Sequence, residues 1–206
     1  MDYEMEFKQV SLNASMLYFE DSISEEVLNR VQHAFHTMRN IEGITDITPS
    51  YTSLLIEYDS SLLSHETLEN LIKKSLQETH SNVTTQQKHI KIPTDYSKGE
   101  DIESVAKYHD LSIEEVIHLH SSTTYRVYAI GFMVGFAYLG TLSSKLFTPR
   151  RSTPRAKVPK GAVAIADHQT AVYPKQSAGG WNIIGHTDFD DFASFSIGDT
   201  VEFVRI

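Results

Sequence analysis

The sequence predicts an α+β N-terminal domain over residues 1–85, followed by a mostly β, closed or nearly closed barrel over residues 86–206. Three observations carry this reading. The chain has 206 residues, enough for two ordinary domains. Its net charge of −9 is uneven: residues 1–85 hold 14 acidic against 5 basic side chains, whereas the remainder holds 13 of each. The apolar pattern also changes, from alternating strand and helix periods to short strands punctuated by glycine and proline.

In the first region, residues 5–10 and 12–19 read as strands, with Asn13-Ala14-Ser15 as a turn or irregularity between them. Ser24 is the expected N-cap of a helix, with Glu25 and Glu26 set against the positive end of its dipole. Val27, Leu28, Val31, Ala34, Phe35 and Met38 recur at helical spacing on one face. Gly43 ends that element. Residues 44–48 and 51–58 read as strands joined across Pro49-Ser50, and a second helix starts near Ser64 with Leu68, Leu71, Ile72 and Leu76 as its buried stripe. The order β, α, β, β, α is that of a sandwich with both helices on one face of an antiparallel sheet. The polar, aperiodic residues 79–87 are the expected linker.

In the second region, residues 88–93 alternate as a strand and residues 96–101 form a turn. Asp101 begins a short helix carrying Ile102, Val105 and Ala106. Ser112 and Glu115 have capping-box spacing for another, with Val116, Ile117 and Leu119 as its apolar positions. The pair has the outline of a helix-turn-helix, but the second helix presents Glu114 and Glu115 and no Arg or Lys, which argues against DNA reading. From there residues 125–130, 162–166, 170–173, 181–185 and 200–205 read as strands between Gly/Pro loops, with Gly198-Asp199 turning into the last. That is the pattern of a barrel, and ligands commonly sit at a barrel mouth.

Composition removes several chemistries. With no cysteine in the chain, disulfides, thiolate catalysis and thiolate zinc sites are excluded. The ten histidines are not spaced as ligands: His118 and His120, two apart on a helix, point to different faces, so no metal is expected. There is no Gly-x-Ser-x-Gly. The glycines of residues 131–140 lack the lysine and hydroxyl of a phosphate-cradling loop. The longest uncharged run, residues 127–144, is too short and too glycine-rich to span a membrane, and the acidic N-terminus is unlike an export signal. A cytoplasmic protein that binds neither membrane nor nucleic acid is expected.

Residues 145–175 stand out by charge, with seven basic side chains and one acid, Asp167. They suit a small anionic ligand or an acidic partner, or else form a solvated basic loop. Within them, Arg150 and Arg155 could clamp a carboxylate or phosphate through paired hydrogen bonds. Gln169 and Thr170, followed by Tyr173, could orient an amide or carboxylate, or close a hydrogen-bonded turn. His120, with Tyr125 shortly after it, is the candidate for proton transfer, because imidazole titrates near neutrality; the alternative is a capping or core histidine. Trp181, the one tryptophan, reads as a core anchor.

These residues also carry a resemblance. Leu119-His120-Ser121-Ser122 with Tyr125, Gly131-Phe132 with Gly135-Phe136 and Tyr138-Leu139, and Thr148-Pro149-Arg150-Arg151 with Pro154-Arg155 follow one another in order. They are succeeded by Val158-Pro159 with Gly161, Gln169-Thr170 with Tyr173-Pro174, and Gly179-Gly180-Trp181 with Ile184-Gly185 and Thr187. The set closely resembles the B subunit of the bacterial ATP-dependent 5-oxoprolinase. That family was formerly labelled allophanate hydrolase subunit 1, and it includes an inhibitor of a sporulation sensor histidine kinase.

The resemblance implies that the barrel is cyclophilin-like. It further implies that the chain acts with companion subunits A and C, with ATP as co-substrate, to hydrolyse 5-oxo-L-proline to L-glutamate, a small anionic substrate. Two other roles follow from the same family: binding a histidine kinase as its inhibitor, or a carboxyltransferase-like part in urea or allophanate metabolism. The sequence departs from the usual family pattern at Val134 and Ala137, where prolines are typical, at Thr141 and Ala171, where glycines are, and in a shortened segment at residues 188–196.

Overall fold

The computed structural model describes residues 5–20, 22–78 and 87–206; the expected linker lies outside them apart from Gln87. The chain divides into two compact units, Met1–Gln86 and Gln87–Ile206.

In the first unit, β1 (Glu6–Ser11) and β2 (Ala14–Tyr18) form an antiparallel hairpin. The irregularity expected near Asn13 is thus a full chain reversal, and the order becomes β, β, α, β, β, α. Helix α1 (Glu25–Met38) begins where the Ser24 hydroxyl accepts the Val27 N–H at 3.2 Å. It is followed by β3 (Ile44–Pro49), β4 (Ser53–Tyr58) and α2 (His65–Glu78). The sheet is antiparallel in the order β1-β2-β4-β3. Alternation along β4 buries Leu54, Ile56 and Tyr58, while α1 buries Val27, Leu28 and Val31 and α2 buries Leu68 and Ile72. Helix α1 packs on α2, β3 and β4. Phe35, expected in the buried stripe, is only half-buried.

The second unit runs β5 (His89–Thr94), α3 (Ile102–Tyr108), α4 (Ile113–Ser121), β6 (Thr124–Ile130), β7 (Ala137–Gly140), β8 (Arg155–Val158), β9 (Ala162–Ala166), β10 (Gln169–Val172), β11 (Ser177–Gly179), β12 (Asn182–His186) and β13 (Thr200–Arg205). Seven of these strands make one sheet in the order β12-β9-β10-β7-β6-β13-β5. Its two edges meet: Asp95, just past β5, exchanges backbone hydrogen bonds of 2.8 and 3.0 Å with His186 at the end of β12. The sheet is therefore a nearly closed barrel, which removes most of the unpaired edge. Strands β8 and β11 form a separate two-stranded ribbon. Sequence reading treated β7, β8 and β11 as loops, because glycine and proline flank them closely.

All five residues of β9 are buried, and they serve two cores. Val163 and Ile165 pack with Val105, Ile117 and Phe203, so α3 and α4 cover that side. Ala162, Ala164 and Ala166 pack on the other with Phe136, Tyr173 and Trp181. A strand covered on both faces is continuously apolar, which is why it shows no alternation. Helix α4 starts with the complete capping box expected of Ser112 and Glu115.

Candidate functional site

His120 sits near the end of α4 and is fully buried. Its tautomer follows from its neighbours. Thr170 Oγ1 donates to the Ala164 carbonyl at 3.1 Å, so at 2.8 Å from His120 Nε2 it accepts, and Nε2 carries the proton. Nδ1 is then bare and accepts from the Tyr96 hydroxyl at 2.7 Å. Tyr125 Oη donates to the His120 carbonyl at 2.9 Å, and the Phe203 ring lies 4.5 Å from the imidazole. Burial pulls the His120 pKa down to about 3 and pushes the phenols of Tyr96 and Tyr125 up.

Three nominated residues, His120, Tyr125 and Thr170, therefore meet, but they meet inside the barrel with their hydrogen bonds satisfied by one another. The imidazole is neutral, and none of the three offers an atom to a ligand outside. This is the geometry of a core histidine. Tyr96, which sequence reading left in a turn, is the missing member of the chain of bonds.

The arginines divide by environment. Asp101 starts α3 yet makes no capping bond with its side chain. Its carboxylate is buried and accepts the Ile183 N–H at 2.7 Å on Oδ2, and Arg151 Nη1 at 2.6 Å and Arg155 Nη2 at 2.8 Å on Oδ1. Arg155 also reaches Glu100 at 3.2 Å, and its side chain is only 18% exposed. The bond to Asp101, ahead of the remaining causes, raises the Arg155 pKa further. Arg155 is thus already clamped on the chain's own carboxylates and is not free for an incoming anion. The physical reason is that a buried aspartate needs counter-charge, and two guanidiniums from the same loop supply it. No sequence motif marks Asp101, since an aspartate ahead of a short helix reads as a cap.

Arg150 is placed differently. Its side chain is 61% exposed, with Nε 3.5 Å from the exposed Asp167, and its guanidinium lies 5.9 Å from the Trp181 ring. Beneath it is an aromatic cluster: Phe136 lies 4.9 Å from Tyr138, 5.3 Å from Tyr173 and 5.7 Å from Trp181. Tyr173 is buried, and a Cβ at Gly179 would lie 2.3 Å from its hydroxyl, so the β11 ribbon closes over it through a glycine. Gln169 is buried in β10 opposite Gly140 and Ala166. Asn182 anchors the start of the basic loop by donating to the Pro149 carbonyl at 3.0 Å. Of the residues nominated for substrate or nucleotide, Arg150 is the one with an exposed charged group, and half-buried Tyr138, absent from that set, stands beside it.

Among the described residues there is no group of three or more His, Asp or Glu placed to hold a metal ion, and no helix is long and apolar enough to cross a membrane.

Comparison with known proteins adds lineage to this geometry. Residues 5–196 match the family described as carboxyltransferase domain, subdomain C and D. The chain is 34% identical to the 5-oxoprolinase B subunit of Bacillus subtilis (strain 168), over 228 aligned positions that take in 100% of this chain and 95% of that protein. It is 46% identical over 128 residues to the 5-oxoprolinase B subunit of Haemophilus influenzae, covering 58% of this chain and 60% of that one. The crystal structure of TTHA0988 superposes with a TM-score of 0.83 at 34% identity; 94% of this chain is covered, but only 40% of that longer chain.

Proposed function

Because the chain belongs to the carboxyltransferase domain family, subdomains C and D, and within it to the B subunits of 5-oxoprolinase, we propose that it is a non-autonomous component of an ATP-dependent 5-oxoprolinase. In company with subunits A and C it opens 5-oxo-L-proline to L-glutamate in the cytoplasm, with ATP as co-substrate, and its barrel is of the cyclophilin-like type. The observation that carries this reading is the identity to the Bacillus subtilis B subunit across the whole chain.

The chemistry explains the need for partners. The 5-oxoproline ring is a stable amide, and its C–N bond breaks only after the carbonyl oxygen is made a better leaving group, which transfer of a phosphoryl group from ATP accomplishes. Water then adds to that carbon, and the ring nitrogen leaves with a proton as the amine of glutamate. The described residues of this chain offer no phosphate-cradling loop. Its contribution is positioning: Arg150, exposed above Trp181 and beside Tyr138, holds the substrate carboxylate at the margin of the barrel.

The test is reconstitution. The chain, co-expressed with subunits A and C, is expected to release glutamate from 5-oxoproline in an ATP-dependent manner. Full activity of A and C without this chain sinks the proposal.

A further inference from the structure

Resting on the reading above, we infer that the β6–β7 connection, residues 131–136, is the knob by which this chain docks on its companion subunit, with Phe132 and Val134 entering an apolar socket of that companion. The segment reads Gly-Phe-Met-Val-Gly-Phe, without one polar side chain. Connections between strands run over the surface and are ordinarily polar, yet Phe132 is 64% exposed and Val134 85%.

The knob is held ready. The Gly131 N–H donates to the Phe136 carbonyl at 3.1 Å, and the Phe136 N–H to the Met133 carbonyl at 3.0 Å. Phe132 takes φ 67°, a conformation uncommon for a bulky L-residue, and its ring stands edge-on to Phe136 at 5.5 Å. Gly135, at φ 81°, admits no side chain, because a Cβ there would lie 2.7 Å from Phe192 Cβ. A rigid tip loses little conformational entropy on docking, and that favours an anchor role over a floppy loop.

The occupant follows from shape and from chain length. Two exposed side chains on a projecting loop enclose no small molecule; they fit a concavity on another protein. In the crystal structure of TTHA0988 the matching region is 40% of one longer polypeptide, so there the remainder is always at hand, whereas a separate B chain must recruit its own. Phe136 joins the knob to the Tyr138 and Trp181 cluster under Arg150, so a companion seated on Phe132 and Val134 lies against the proposed substrate site.

The experiment is affinity measurement between the whole chain and subunits A and C, supplied singly and together. The variants are F132S/V134S, V134D alone, and L12S as a control at an exposed leucine of the first unit. We expect the double variant and V134D to melt as wild type does and to bind at least about tenfold more weakly, with L12S unchanged. Wild-type affinity in V134D overturns the docking inference and leaves the proposed function standing. Failure of the unmodified chain to bind either companion overturns that function, and this inference with it. Loss of self-association in light scattering, with companion binding intact, overturns the inference in favour of a contact between copies of the chain.

Discussion

The protonated Nε2 of His120 lies 2.8 Å from Thr170 Oγ1, and through this bond helix α4 is tied to strand β10 in the interior of the barrel. The Tyr96 hydroxyl completes the link on the other ring nitrogen. A buried network whose members are all satisfied specifies one packing arrangement, because a substituted member leaves its partners unpaired away from water.

His120 should register in the pH dependence of stability. Its pKa is 6.5 as the ordinary reference and about 3 in the folded chain, lowered by burial. Between those values the unfolded chain binds a proton at this site and the folded chain does not, so the stability associated with His120 is present above about pH 6.5 and declines as pH falls toward 3. The slope contributed is about 1.4 kcal/mol per pH unit within that window. Denaturant titrations from pH 7 to pH 4 should show it in wild type and lose it in His120→Gln. Identical slopes for the two proteins would refute the assignment.

The Asp101 cluster makes a prediction about asymmetry. Asp101→Ala removes the common partner of Arg151 and Arg155 and the acceptor of the Ile183 N–H, and should cost about 3–5 kcal/mol. Arg155→Ala leaves Asp101 with Arg151 and Ile183 and should cost less, about 1–3 kcal/mol. Thermal or denaturant unfolding of both variants checks the order; a larger loss for Arg155→Ala contradicts it.

Arg150 should behave in the opposite sense. Its exposed guanidinium makes one long contact with an exposed carboxylate, so Arg150→Ala is expected to leave the melting temperature within about 1–2 °C of wild type. In the assembled enzyme the same change should lower kcat/KM for 5-oxoproline about tenfold or more, because a charge-assisted contact to substrate is lost. Unchanged kinetics would remove Arg150 from the site.

Trp181→Ala tests the second core. The indole is buried against Phe136 and Tyr138, and truncation should cost about 3–5 kcal/mol through the cavity left behind. An unaltered unfolding midpoint would show that this face is not a packed core.

Much of the fold was readable from the chain because local rules sufficed. The Ser24 cap and the Ser112–Glu115 capping box are set by residues three apart, and the helix stripe of α1 and the strands β9 and β13 are set by period and composition. Strand β7 escaped because four residues flanked by glycine give too short a pattern, and its pairing with β10 depends on residues nearly thirty positions away. The meeting of Asp95 with His186, which nearly closes the barrel, has no local signature at all.

The site divides along the same line. By itself the sequence determined lineage, the absence of cysteine chemistry and the basic character of residues 145–175, since these are properties of residue identity and order. Which of those cations is available was decided by the tertiary structure alone. Asp101 lies some fifty positions before Arg151 and Arg155, and only folding brings its buried carboxylate to them and leaves Arg150 outside. In the same way, burial turned His120 from a candidate acid–base group into a neutral strut, because the free energy of charging an imidazole depends on the solvent that the fold removes.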